Sequence, residues 1–302
     1  MSHYHEPVMA QACVDALVEN PNGLYVDATF GGGGHAALIL QKLDKGHLYG
    51  FDQDTDAAVN AETFSPERFT LIQANFRYIK QYLRFHGVRQ VNGIMADFGV
   101  SSHQINEAQR GFSTRFEGPL DMRMDQNAPQ TAADLLATSS EPELHKILGM
   151  YGEVRNARTL AQVLVQARIN NKIETTSQLK AILEPLAPRG NSYQYFAQVF
   201  QALRIAVNDE LKAIQDFLVQ ASDLLLPDGR LVLLSYHSLE DRLAKNFILK
   251  GKFDGSALEK DLYGNSFAPL RPLFRKAQTP EESEVVRNPR ARSAKMRVGV
   301  KN

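Results

Sequence analysis

One cysteine, Cys13, is all that the 302-residue chain contains. No intrachain disulfide can form, and a multi-cysteine zinc site is excluded. An excess of either charge is lacking too, since 34 basic side chains face 34 acidic ones for a formal net charge of zero. A polycation that holds nucleic acid through charge alone is thereby excluded, although a local basic patch can hide inside a neutral sum. The opening MSHYHEPVMAQACVDALVEN has no basic segment followed by an apolar run, so no secretory signal is expected. No run of about 18 apolar residues occurs, so no membrane span is expected either. The expectation is a soluble, cytoplasmic protein.

What is present is ordinary globular material. Hydrophobic residues make up 43% and charged residues 23%, which separates the chain from disordered ones. The length predicts about two domains with a real core.

Short β-rich runs alternate with helical stretches in the first hundred residues. Strands are predicted at Tyr25–Phe30, His47–Phe51, Phe69–Gln73 and Val91–Phe98, with helices from Ala36 to Leu43 and from Asp56 to Thr63. That alternation predicts an α/β fold with a parallel, doubly wound sheet. From about Thr131 to Leu225 the pattern is helical. Leu160, Val163, Leu164 and Ala167 share one face, and Leu203–Leu226 reads as one helix ending at Pro227-Asp228-Gly229, a turn signal. Strand character returns at Arg230–Tyr236 and at Ala294–Val300. Between them Ser238, with Asp241 three residues on, reads as a capping box. An all-helical domain inserted into an α/β domain is the simplest account, with the α/β domain at residues 1–108 and 207–302 and the insertion at 109–206.

Four glycines, Gly31 to Gly34, join the first strand to the first helix. Glycines there let the backbone turn tightly and approach a ligand. Asp52 ends the next strand, 18 residues past Gly34, where a carboxylate takes hydrogen bonds from ribose hydroxyls. The combination predicts nucleoside binding without saying which nucleoside. Phe76, after the third strand, is a candidate for lying against adenine. Asp97 ends the fourth strand, at the sheet edge where substrates meet cofactors. The pattern calls for no metal. His35 and His237 read as structural histidines, since no partner can be named for either. Asp121, Arg123 and Asp125 read as an ion-pair network, and Arg123 reads equally well as a contact for an RNA phosphate or base.

Longer blocks carry a resemblance. His5-Glu6-Pro7-Val8, YVDATFGGGGHA from Tyr25, GFDQD from Gly50 and DFGVSSHQINEAQRGFS from Asp97 come first. They are followed by GPLDMRMD (Gly118–Asp125), YGEVRNAR (Tyr151–Arg158), VFQALRIAVNDEL (Val199–Leu211), SYHSLEDR (Ser235–Arg242) and NPRARSAKMRV (Asn288–Val298). In this order, over nearly the whole chain, they resemble the ribosomal RNA small-subunit methyltransferase H family.

The resemblance implies a Rossmann-like class I S-adenosylmethionine-dependent methyltransferase fold with an inserted helical domain. It implies methyl transfer to the exocyclic N4 of a cytidine at the P site of 16S rRNA, with the small ribosomal subunit as partner. Carried over by position, it implies cofactor contacts at Gly33, Gly34, His35, Asp52, Phe76, Asp97 and Gln104, with Asp97 close to the transferring methyl as the catalytic candidate. One block departs. The family's proline-alanine-threonine-arginine before FQALRI is here Tyr195-Phe196-Ala197-Gln198. The arginine is absent, and Arg189 and Arg204 are the candidates to replace it.

RNA contact is expected at the carboxyl terminus. Arg287, Arg290, Arg292, Lys295, Arg297 and Lys301 are basic, and no acid intervenes. Such a stretch neutralises phosphates. Two other classes fit parts of the sequence: a nicotinamide oxidoreductase, which shares the glycine loop and Asp52, and a ribosome-assembly factor without turnover.

Overall fold

The computed structural model describes residues 7–257 and 267–302; His5 and Glu6 of the first block lie outside them. The chain divides into two compact units, residues 1–99 with 211–302, and residues 100–210. The boundaries fall at Gly99/Val100 and Glu210/Leu211, against 108/109 and 206/207 from sequence.

The first unit is a seven-stranded sheet of order β3-β2-β1-β4-β5-β7-β6. Its strands are β1 (Leu24–Asp27), β2 (His47–Asp52), β3 (Phe69–Gln73), β4 (Val91–Asp97), β5 (Leu225–Ser235), β6 (Leu270–Pro272) and β7 (Lys295–Lys301). The first five pair in parallel, and β7 runs antiparallel to both its neighbours. Strand order reverses between β1 and β4, which opens a crevice at their carboxyl ends. The expected doubly wound α/β architecture is what the chain adopts.

Alternation along the strands builds two cores. Ile94 and Ala96 of β4, with Leu231 and Leu233 of β5, face α4 (Ile79–Phe85), α11 (Glu210–Leu224) and α12 (Ser238–Lys250). Met95, Val232 and Leu234 face the other way, onto α1 (Ala10–Leu17) and α2 (Gly34–Lys42). A period of two sends successive side chains to opposite faces, and both faces are covered as a parallel sheet requires. Each fully buried Leu, Ile or Val contributes about 1.5–3 kcal/mol. Cys13 sits in the second core, its thiol donating to Met296 Sδ at 3.5 Å.

Residues 100–210 are helical: α5 (Ser102–Asn106), α6 (Ala132–Thr138), α7 (Glu141–Gly152), α8 (Ala157–Asn170), α9 (Thr176–Leu183) and α10 (Ser192–Asn208). They enclose a core of their own that includes Leu144, Leu148, Leu160, Leu164, Leu179 and Leu203. The face read on α8 holds, with Leu160 and Leu164 buried and Val163 and Ala167 half-buried.

Four local expectations need correction. The predicted helix from Leu203 to Leu226 is two helices, because Asp209 adopts φ 48°, a left-handed conformation that ends α10. Pro227-Asp228-Gly229 does not separate that helix from the strand at Arg230 but lies inside β5, where the register with β4 shifts between Val91 and Gly93. The chain thus absorbs its turn signal as an irregularity in a continuous strand. The cap of α12 is His237 and not Ser238. Glu240, not Asp241, reaches back to accept from Tyr236 N at 2.8 Å and His237 N at 3.3 Å. The segment Asp56–Thr63 forms only a 3-10 turn (Thr55–Ala57) and one helical turn, α3 (Ala58–Ala61).

Among the described residues, no helix is long and apolar enough to cross a membrane.

Candidate active site

Three adjacent strands end in acids. Asp52 closes β2, Asp27 closes β1 and Asp97 closes β4, and these strands neighbour one another in the order β2-β1-β4. Their carboxylates therefore crowd the crevice where the strand order reverses. Burial pushes Asp97 up to about 7; the nearby Glu240 adds to the rise and the Tyr236 hydroxyl opposes it. Burial likewise lifts Asp27 to about 6, opposed by His35 and the Thr29 N–H. Asp52 rises to about 6 for the same reason, opposed by backbone N–H groups of Asp54 and Gly31. Among the described residues, Asp97 Oδ1 and Asp27 Oδ2 are buried without a hydrogen-bond partner. Such unmet acceptors cost energy unless a ligand meets them.

The glycine loop is braced by one of these acids. Gly31 N donates to Asp52 Oδ2 at 2.7 Å, and Asp54 N donates to Oδ1 of the same group at 2.8 Å. Each oxygen keeps a lone pair for a ligand hydroxyl. Gly33 caps α2 at φ 76°, and a Cβ there would stand 3.0 Å from the Phe64 ring and 3.1 Å from that of Phe30. Only glycine satisfies both the left-handed backbone and the space. Gly34 opens α2, and His35 follows with its ring buried and Nε2 3.0 Å from Val8 O. Burial holds that imidazole below its usual range, and the ring anchors the start of α2 to the Val8 carbonyl.

Phe76 is half-buried, its centroid 5.2 Å from Phe217 and 6.0 Å from Phe98. The ring thus backs onto core aromatics while part of it stays accessible. Asp97 N donates to Thr29 Oγ1 at 2.7 Å, tying the β4 terminus to the second residue past β1's carboxyl end. Gln104 belongs to the second unit. It is buried on α5, where its side chain accepts from Ser101 N at 3.0 Å in a capping box. Six of the seven residues carried over by resemblance therefore share the first unit, and Gln104 does not.

Sequence reasoning did not single out Asp27, Tyr236 or Glu240. Asp27 had a legible signal, because it ends its strand as Asp52 and Asp97 end theirs. The other two became visible only once the cap of α12 moved by one residue.

Several candidate RNA contacts are already engaged. Arg123 forks onto both oxygens of Asp121 at 2.7 and 2.8 Å and donates to Ala128 O. Asp125 accepts from Asn127 N and adds to the negative field on Arg123. Arg204 forks onto Glu210 at 2.8 and 3.0 Å, and Arg189 is exposed. Of the six basic residues at the carboxyl terminus, Arg297 pairs with Asp241 at 2.6 Å and Lys295 reaches it at 3.4 Å. That stretch is less available to phosphates than its composition suggests.

S-adenosylmethionine is a cation with a sulfonium and an ammonium group. A crevice ringed by three strand-end carboxylates, Asp27 buried and Asp52 and Asp97 half-buried, two of them with unmet oxygens, fits it. The sheet order with a single antiparallel strand, the glycine loop and the strand-end acid together define a class I S-adenosylmethionine-dependent methyltransferase. The MraW methylase family matches residues 2–302, and the chain belongs to that family. It is 56% identical over 295 residues to the ribosomal RNA small subunit methyltransferase H of Cytophaga hutchinsonii, covering 98% of each chain. Identity to the protein of the same name from Amoebophilus asiaticus is 51% over 298 residues, 99% of this chain and 96% of that one. A solved rRNA methylase from Streptococcus thermophilus is similar at 12% identity and a TM-score of 0.39, over 97% of this chain and 93% of that one. Family membership bears out the resemblance seen in the sequence and decides between the two cofactor classes that the glycine loop left open.

With these raised carboxylates, cofactor binding is expected to depend on pH. They are partly protonated near pH 6 and ionised at pH 8, and only the ionised form attracts a cation. For one group at about 7, affinity for S-adenosylmethionine should rise about tenfold from pH 6 to pH 8. Calorimetric titration at the two pH values measures it.

Proposed function

We propose that the protein methylates the exocyclic N4 of a cytidine at the P site of 16S rRNA, within the small ribosomal subunit and so in the cytoplasm. Relatives named as small-subunit rRNA methyltransferases, at half identity or more over almost their full length, support an RNA substrate. The observation that carries the chemistry is Asp97, a strand-end carboxylate lifted to about 7 with one buried, unpartnered oxygen.

When bound, S-adenosylmethionine supplies an electrophilic methyl group on a sulfonium. Gly33, Gly34 and His35 would form its loop, Asp52 would accept from its ribose hydroxyls, and Phe76 would lie against adenine. Cytosine's amino nitrogen is a poor nucleophile because its lone pair is delocalised into the ring. Asp97 accepts a hydrogen bond from that amino group, which favours a localised lone pair. It then takes the proton the nitrogen sheds as the new N–C bond forms. A carboxylate with a pKa near 7 suits this at neutral pH. The helical unit is the proposed substrate-recognition element, and a target cytidine in folded RNA would be splayed from its stack to reach the crevice.

The test is incubation with tritiated S-adenosylmethionine and unmodified small subunits. Label in the RNA supports the reading, and no label in any assembly state tested contradicts it.

A further inference from the structure

Tyr78, Tyr82 and Phe85 stand in solvent at 50%, 37% and 86% exposure. They fall at i, i+4 and i+7, which is one stripe of the turn and helix that follow β3. Ile79 and Leu83, on the other side of α4, are fully buried. A short helix needs one apolar stripe to dock, so a second, wet and aromatic, is not explained by folding. The rings are held in place. Tyr82 meets buried Phe51 edge-on at 6.4 Å, and Phe85 meets His86 at 5.6 Å.

The surrounding charge has one sign. From Arg68 to Ala96 the sequence has five Lys or Arg residues and no acid. Arg77 and Lys80 pair with Asp216 and Asp223 of α11. Arg84 and Arg89 are exposed, and among the described residues neither forms an ion pair. Aromatic rings interleaved with unpaired arginines fit unpaired nucleic-acid bases and their phosphates.

We infer that this face is a second RNA-binding surface, separate from the methyl-transfer crevice, where bases stack on Tyr82 and Phe85 while Arg84 and Arg89 meet phosphates. The inference rests on the RNA reading above. The surface begins at Tyr78, two residues past the adenine candidate Phe76, and follows α4 away from the carboxyl edge of the sheet. It would grip RNA flanking the target and leave the reacting base to the crevice.

The test is the full-length R84A/F85A/R89A variant, whose three sites are exposed and outside both cores. Two readouts separate the claims. Binding to an unstructured 20-nucleotide RNA should weaken about tenfold. Its log–log salt slope should become shallower by about 1.4, which is two phosphate contacts. With unmodified small subunits, KM should rise about tenfold while kcat and the S-adenosylmethionine Kd stay unchanged. Unchanged RNA affinity and slope overturn the inference even if the enzyme methylates subunits. If wild type fails to methylate subunits, the function reading falls, and the RNA titration still judges this face. A wild-type dimer that the variant converts to monomer in sedimentation would assign the face to a second copy of the chain and overturn the inference.

Discussion

Asp97→Asn is expected to cut kcat at least about a hundredfold, the low end of what a positioned general base contributes. The amide keeps the size and a hydrogen-bond acceptor but cannot take up a proton at neutral pH. The same change should stabilise the folded protein at pH 8. Burial raises the Asp97 carboxyl to about 7, so the unfolded chain gives up this proton first as pH rises. Folding therefore loses stability between about pH 4 and 7, on the order of 2–4 kcal/mol from this group. Removing the charge restores that loss at pH 8 and changes little at pH 4, where the acid is protonated in both states. Urea unfolding at the two pH values, beside single-turnover kinetics, checks both halves. A variant with full turnover and unchanged cofactor affinity would remove Asp97 from the mechanism.

The second large effect is on binding alone. Asp52→Ala should weaken S-adenosylmethionine about a hundredfold. Hydrogen bonds to a charged acceptor are worth about 1.5–3 kcal/mol each, and the alanine also releases the Gly31 and Asp54 N–H groups. At saturating cofactor, kcat should stay within about threefold, because the role proposed for Asp52 is at the nucleoside and not at the reacting atoms. Calorimetry gives the affinity and initial rates give kcat. A large fall in kcat with unchanged affinity would show that Asp52 serves the chemistry instead.

Together the two variants split the crevice into a part that binds and a part that reacts. Both parts are strand ends, which explains why so much of the site was legible in the sequence. A strand that stops at an acid, a glycine loop and a helix start is a local pattern, and local patterns survive in one dimension. Asp52 and Asp97 were found in this way, and Asp27 has the same signature.

What was missed depends on distant contacts. β6 (Leu270–Pro272) is only three residues long and exists because β7 pairs with it. The break at Asp209 shows only in its backbone, since the apolar spacing continues from α10 into α11. Pro227-Asp228-Gly229 has turn chemistry, yet β4 pairs with β5 on both sides of it, at Leu225 and again from Arg230. The cap of α12 shifted because Asp241 is drawn to Arg297 and Lys295 on β7, which leaves Glu240 to close the helix start. The same ion pairs reduce the carboxyl-terminal basic stretch as an RNA contact. Free arginines lie instead beside the aromatic stripe of α4, which composition alone does not distinguish.

The zero net charge fits this arrangement. An enzyme that must select one folded site gains little from general attraction to phosphate backbones. Acids gather where a cationic cofactor is expected, and unpaired arginines sit on a limited face.

The most direct measurement is mass spectrometry of the nucleosides from small-subunit RNA after incubation with the protein and S-adenosylmethionine. One methyl group on a single cytidine, eluting as N4-methylcytidine, is the predicted result. A methyl group on C5 or on the ribose, or RNA left unmodified in every assembly state, would contradict the account.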